Sequence, residues 1–147
     1  MRATQTRPNA LAAARKAGSL RTPQRPKVLL IHAEDEARLR CCNSLREHGF
    51  EPVPTADPEV ALRFVATQQF VAIVVDLECP RHDVLDVVTC LRNHPPTSEV
   101  PIVALSAVLT EDVRELVTSR GCNEVLARPA PTHLIGEALS RAAVAVA

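Results

Sequence analysis

The feature that most constrains this chain is a series of short, unbroken apolar runs, each followed by polar residues and then by an amphipathic stretch. Val28-Leu29-Leu30-Ile31, Val71-Ala72-Ile73-Val74-Val75, Val100 to Leu105 and Val125-Leu126-Ala127 are these runs. A strand with one wet face alternates apolar and polar residues, whereas a strand that is apolar throughout is covered on both faces. Glu51–Pro54 reads as a further short strand, and Pro52 and Pro54 put it at an edge, because proline gives no ladder donor. The intervening segments have helical spacing. Residues 34–48 carry Ala37, Cys41, Leu45 and His48 on one stripe, with Gly49 as the left-handed stop. Asp57-Pro58 is a helix start, followed by Val60, Ala61, Phe64 and Val65 as the buried stripe. Val84, Val87, Val88 and Leu91 mark the next helix. Val113, Leu116 and Val117 face inward from one over 110–120 that Gly121 closes. Leu134, Ile135, Ala138, Leu139 and Ala142 mark the last, over 131–143. Five strands alternating with five helices predict an α/β fold: a doubly wound, five-stranded parallel sheet with helices on both faces.

Composition removes several functions. The chain has three Phe and no Trp or Tyr, which argues against a site built on stacking bases, flavins or sugars. Its five cysteines are odd in number and scattered through apolar segments, so they form no disulfide framework and fit a reducing cytoplasm. Cys41 and Cys42 read as one buried and one half-buried thiol rather than a redox pair. No apolar run approaches the roughly 20 residues that span a bilayer. The net charge is zero, yet it is unevenly spread. Residues 1–27 hold seven of the 17 cations and no acid, leaving 10 cations against 17 acids in the rest. Residues 1–26 therefore read as a basic, disordered arm, and residues 27–147 as the folded domain. Nucleic acid is expected as a partner only through residues 1–27, and a membrane is not expected.

In an open parallel sheet, chemistry collects beyond the carboxyl ends of the strands. His32, Ala33, Glu34 and Asp35 follow the first strand, and Asp76-Leu77-Glu78-Cys79-Pro80 follows the third. Ser106-Ala107 follows the fourth and Arg128-Pro129 the fifth. A carboxylate, a hydroxyl and a guanidinium thus meet at one rim. Asp76 is a candidate nucleophile toward phosphorus, Ser106 a donor to a phosphoryl oxygen and Arg128 a counter-charge. Each residue also has an ordinary structural use: Asp76 as a turn former, Ser106 as a loop residue ahead of Thr110 and Glu111, and Arg128 as a surface charge.

From Lys27 to Ala143 the chain resembles the receiver domain of bacterial response regulators, the CheY-like superfamily. Asp76 to Pro80 matches its Asp-x-x-Met-Pro with Cys79 for methionine. Ser106-Ala107 matches its Ser/Thr-Ala step, and Arg128-Pro129 stands at its Lys-Pro step. The resemblance implies a flavodoxin-like sheet in the order 2-1-3-4-5, with Asp76 as the phospho-acceptor position and Ser106 and Arg128 as the phosphoryl-contact positions. It also implies that an acidic pair holding Mg²⁺ should directly follow the first strand. His32 and Ala33 stand there instead. Mg²⁺ wants carboxylate oxygens in octahedral geometry, and Ala33 offers none. No cofactor is therefore expected; Glu34, Asp35 and Glu78 are the nearest substitute oxygens. Arg128 replaces lysine and is expected to grip Asp76 bidentately. Val125 stands at the aromatic switch position, and Val84 replaces the usual glycine after Asp83.

The resemblance implies an atypical receiver, not an enzyme, that works through protein contacts in two-component signalling without phosphorylation. With few residues after the last helix, it is expected to stand alone. It would be cytoplasmic, with a sensor histidine kinase or another signalling protein as partner, and with a homodimer forming through the 110–143 face. In that face Val113, Leu116, Ala138 and Val144 would combine core and interface roles. One alternative is a conventional phospho-acceptor in a phosphorelay, modified on Asp76. Another is a phosphatase of the haloacid dehalogenase type, although Asp76-Leu77-Glu78 lacks that family's second aspartate. A flavodoxin-type flavin carrier would need a phosphate loop and stacking aromatics that the sequence does not contain.

Overall fold

The computed structural model describes residues 24–128, 130 and 132–146. Five strands run β1 Lys27–Ile31, β2 Glu51–Thr55, β3 Ala72–Asp76, β4 Ile102–Ser106 and β5 Glu124–Ala127. Five helices alternate with them: α1 Asp35–Glu47, α2 Pro58–Thr67, α3 Val84–Asn93, α4 Glu111–Ser119 and α5 Thr132–Val146, with a 3-10 turn at Pro95–Thr97. Every strand pair is parallel, and the order is β2-β1-β3-β4-β5, the arrangement expected from the sequence. The proline-bearing β2 lies at the edge.

Strand alternation sorts the apolar residues into two cores. Leu29, Ile31, Ile73, Val75, Ile102 and Ala104 point to the layer of α2, α3 and α4, where they meet Ala61, Val65, Val88, Leu91 and Val117. Val28, Leu30, Ala72, Val74, Val103 and Leu105 point the other way, to Cys41, Cys42 and Leu45 of α1 and to Ile135, Ala138 and Leu139 of α5. A one-residue slip of any central strand would exchange the two sets, so packing on both faces fixes the register. Asp57 caps α2 by accepting from the Glu59 N–H at 2.8 Å, with Pro58 in its first turn. Asp83 caps α3 through the Leu85 N–H, and Thr110 caps α4 through the Val113 N–H. Gly49 and Gly121 have φ of +92° and +121°, as expected of residues that end helices in left-handed turns.

Four expectations need correction. His48 is exposed; it covers the Gly136 backbone of α5 and its Nδ1 meets Ser44 O at 2.8 Å, while Cys42 and Ser44 take the buried places on α1. The helical stripe is simply wider than the 3.6-residue count suggested, because α1 packs on both the sheet and α5. Both Cys41 and Cys42 are buried, and burial pushes the Cys41 thiol up to about 11. Leu116 is 47% exposed, since α4 buries only Val117 and part of Val113. The edges of β3 and β4 are shifted: β3 takes in Asp76, and β4 starts beyond the Thr97–Pro101 turn and ends at Ser106.

Most of the arm lies outside the described residues, as does the side chain of Val144. Just ahead of β1, Arg25 Nη1 donates to Arg46 O at 2.9 Å and to Phe50 O, so Arg25 touches the body. No helix of the described residues is long and apolar enough to cross a membrane.

Candidate functional site

The carboxyl ends of β1, β3, β4 and β5 bring His32, Asp76, Ser106 and Arg128 to one rim, as the order of the strands requires. Asp76 ends β3, is 1% exposed, and hydrogen-bonds forward to the Glu78 N–H at 3.1 Å, which turns the chain out of the sheet. A buried carboxylate needs donors and a cation. Arg128, held one residue past β5 by its own N–H on Ser106 O, supplies both. Its Nη1 donates to Oδ1 at 2.8 Å and to Oδ2 at 2.9 Å. The pairing is thus tight, but it is not the expected fork. A single nitrogen straddles both oxygens because Arg128 approaches end-on from β5. The fork with two nitrogens occurs elsewhere, between Arg141 of α5 and Glu124 of β5, at 2.9 Å for each bond. The hydrogen bond to Asp76 also raises the Arg128 guanidinium above its usual range.

His32 occupies the first position of the missing acidic pair and is buried. Its Nδ1 accepts the Glu34 N–H at 3.2 Å and lies 3.3 Å from Asp76 Oδ2. Burial lowers its pKa despite the pull of Asp76 in the other direction. At neutral pH the ring is therefore uncharged, and its Nδ1 lone pair is already committed to a backbone donor. Ala33, half-buried, packs against the α2–α3 side of the core.

Of the residues that could replace the acidic pair, Asp35 and Glu78 are engaged by other partners, whereas Glu34 lines the cleft beside His32. Asp35 is exposed and paired with Arg38 at 2.7 Å, and Glu34 is exposed at the start of α1. Glu78 turns toward β4, where its Oε1 accepts the Ala107 N–H at 2.8 Å and lies 3.5 Å from Arg128 Nη1. Among the described residues no group of three or more His, Cys, Asp or Glu side chains is arranged to hold a metal ion. The site as arranged does not fit Mg²⁺: Arg128 Nη1 spans both oxygens of Asp76, Glu78 Oε1 is held by the Ala107 N–H, and an imidazole and a methyl group stand where the acidic pair would be.

Ser106 is buried and turned into its own loop. Its Oγ donates to Val108 O at 2.6 Å and accepts the Val108 N–H at 3.2 Å. Cys79 is buried, with Sγ 3.4 Å from Asp76 O, and desolvation pushes its thiol up to about 11. Val125 is buried opposite Ala104 in β4 and lines the core instead of standing at the surface. Val84 is buried in the first turn of α3 and takes no part in the site. A shallow cleft of about 220 Å³ opens beside His32, between Glu34, Arg40, Cys41, Arg128 and Ala130.

Comparison with known proteins concerns the chain as a whole. No family model matches the chain. It is 32% identical over 104 residues to the transcriptional regulatory protein PrrA of Mycobacterium tuberculosis, covering 71% of this chain and 44% of that one. It is 25% identical over 104 residues to a probable chemotaxis protein CheY of Rhizobium etli, covering 70% and 81%. Among solved structures, the receiver domain of a sensor histidine kinase from Pseudomonas aeruginosa superposes with a TM-score of 0.74 at 26% identity, covering 82% of this chain and 99% of that one. The body of this chain has the receiver fold and is similar in sequence to response-regulator receiver domains. The chemotaxis protein CheY4 of Vibrio cholerae shares the receiver fold, with a TM-score of 0.76 at 21% identity over 81% of this chain and 99% of that one. The chain spans less than half the length of PrrA. The Pseudomonas receiver was solved with a magnesium ion coordinated in its active-site cleft. This chain has Arg128 on both oxygens of Asp76 and has His32 and Ala33 beside them.

Two contributors escaped the sequence. Glu78 was visible only as a substitute metal oxygen, and the Ala107 N–H was invisible because a backbone donor leaves no mark on residue type. The position of Glu78, two residues past the strand and across from the β4 loop, was the only available hint.

Proposed function

We propose that this receiver acts in two-component signalling as an atypical module that passes its signal by protein contact and does not depend on phosphorylation of Asp76. The observation that carries the reading is Arg128 Nη1 on both oxygens of Asp76, with His32 and Ala33 in place of metal-binding carboxylates. Phosphoryl transfer to an aspartate needs a free carboxylate oxygen for in-line attack and a cation to neutralise the charge that builds on the transferring group. Here the cation is present in advance and the oxygens are occupied. An incoming donor has to break that pair, at a cost of about 1–3 kcal/mol for a charged, partly buried hydrogen bond, and it finds no carboxylate cluster to seat a metal.

The receiver thus rests in one charge-compensated state. Its partners would be a sensor histidine kinase or another signalling protein in the cytoplasm, meeting it through α4, β5 and α5. Leu116 stands exposed on that face beside half-buried Val113, whereas Ala138 is fully buried and can serve only the core. Charge-reversing substitutions at Glu111 and Arg114 are expected to weaken partner binding or self-association; unaltered binding of both kinds would remove this face from the account.

The test of the phosphorylation-independent reading is acetyl phosphate treatment of the unmodified chain with and without Mg²⁺, followed by intact mass. Little label within an hour is expected in either condition, and Asp76→Asn should leave partner binding intact. A conventional phospho-acceptor would instead label rapidly, at Asp76, in a Mg²⁺-dependent way.

A further inference from the structure

The Glu78 side chain does something that neither a metal ligand nor a surface charge would do. It leaves the β3 loop, crosses to β4, and places Oε1 2.8 Å from the Ala107 N–H and 3.5 Å from Arg128 Nη1. That same Nη1 lies 2.8 and 2.9 Å from the oxygens of Asp76. One guanidinium nitrogen therefore stands among three carboxylate oxygens from two residues. A backbone N–H and a guanidinium converging on one oxygen form an anion cradle. The third donor that could join them, Ser106 Oγ–H, is turned to Val108 O. We propose that the Glu78 carboxylate is a built-in anion filling the cradle in which a tetrahedral oxyanion would otherwise sit, so that an outside phosphate or sulfate enters only when Glu78 is withdrawn.

The inference rests on the reading of this rim as a charge-compensated receiver site, but it makes a separate claim about Glu78. Asp76 is held by Arg128 and the Glu78 N–H, whereas the Ala107 N–H is held by the Glu78 side chain. The second contact fixes the start of the β4–α4 loop, which continues through Ser106–Val108 to the Thr110 cap of α4. An internal anion would therefore hold this loop in a single arrangement with no covalent modification. Glu78 is partly exposed, at 41% of its side chain, so it can be drawn out without unfolding the core.

Amide hydrogen exchange at Ala107 in the full chain tests the contact. Glu78→Ala should speed exchange there at least tenfold and leave the β4 amides of Ala104 and Leu105 unchanged. Glu78→Gln keeps an acceptor oxygen and should restore most of the protection. Sulfate, added while the Ala107 amide is followed by NMR, tests the cradle. In Asp76→Asn with Glu78→Ala, sulfate should bind at least tenfold more tightly than in Asp76→Asn alone. Equal Ala107 exchange in all three forms, or equal sulfate affinity in the two backgrounds, would overturn the role of Glu78. Failure of the phosphorylation-independent reading would appear separately, as Mg²⁺-dependent label on Asp76 of the unmodified chain.

Discussion

Two arginines that cross between elements, Arg92 at one end of the sheet and Arg128 at the other, do opposite electrostatic work. At the amino ends of β4 and β5, Arg92 of α3 donates to Gly121 O through Nε and Nη2, to Thr97 O, Ser98 O and Val100 O through Nη1, and to Asn123 Oδ1. All of these acceptors are neutral. Burial lowers the Arg92 pKa, with nearby Cys122 pulling the other way. At the carboxyl ends, Arg128 is raised by its hydrogen bond to Asp76. A guanidinium on carbonyls staples a fold, because its donors fit several loop oxygens at once and nothing else competes for it. A guanidinium on a buried carboxylate compensates a charge, and on the proposed reading it withholds that carboxylate from phosphoryl transfer. Residue type is the same in both places. The acceptor decides the function.

The largest expected effect comes from converting the second end into an ordinary receiver site. His32→Asp with Ala33→Asp and Arg128→Lys supplies two carboxylates and a compact cation. Labelling of Asp76 by acetyl phosphate should rise at least tenfold and become Mg²⁺-dependent, as read by intact mass. An unchanged level of label would mean that charge compensation is not what silences the site.

Breaking the staple comes next. Arg92→Ala should lower stability by about 1–3 kcal/mol, since several part-buried carbonyls lose a charged donor together. It should leave acetyl phosphate labelling as it was. Gly121 belongs to the same unit: a Cβ there would lie 2.8 Å from Arg92 Cγ, and the positive φ adds strain, so Gly121→Ala should also destabilise by about 1 kcal/mol or more. Urea unfolding measures both.

Arg128→Ala should cost somewhat less, about 1–2 kcal/mol, because Arg128 is 30% exposed and water can enter to solvate Asp76 in its place. Combining it with Asp76→Asn should recover most of that loss, which no partner substitution would do for Arg92. If the double variant is as unstable as the single, the arginine is a structural staple at this end too.

The smallest expected effect is that of pH. His32 has its pKa lowered below 6.5 by burial, so the unfolded chain binds the proton more readily than the folded one. Its contribution is present in full above about pH 6.5 and is lost as pH falls through that value toward the lower folded one. Stability should therefore decline below about pH 6.5, and the decline should be shallower in His32→Asn. A profile identical in the two proteins would mean that His32 does not report the site.

The fold was legible because burial on both faces leaves its mark as continuous apolar runs, and the edge position of β2 because proline cannot serve inside a sheet. Asp76, Ser106 and Arg128 were legible because each stands one step past or at the end of a strand. Leu116 was misplaced for a physical reason: a 3.6-residue period finds a helix face but not how much of it the neighbours cover. The fork expected of Arg128 was misjudged because residue type does not give the direction of approach. The Arg92 staple left no sequence mark, since most of its acceptors are backbone carbonyls that every residue carries. The same blindness hid the Ala107 N–H and with it the destination of Glu78.

The measurement that bears most directly on the central claim is intact-mass detection of acetyl phosphate label on the unmodified chain, with and without Mg²⁺, with Asp76→Asn as the blank. If Arg128 holds Asp76 in a closed, charge-compensated state, little label should accumulate over an hour and Mg²⁺ should not change the amount. Rapid, Mg²⁺-dependent label that disappears in Asp76→Asn would contradict the account and make this receiver a conventional phospho-acceptor.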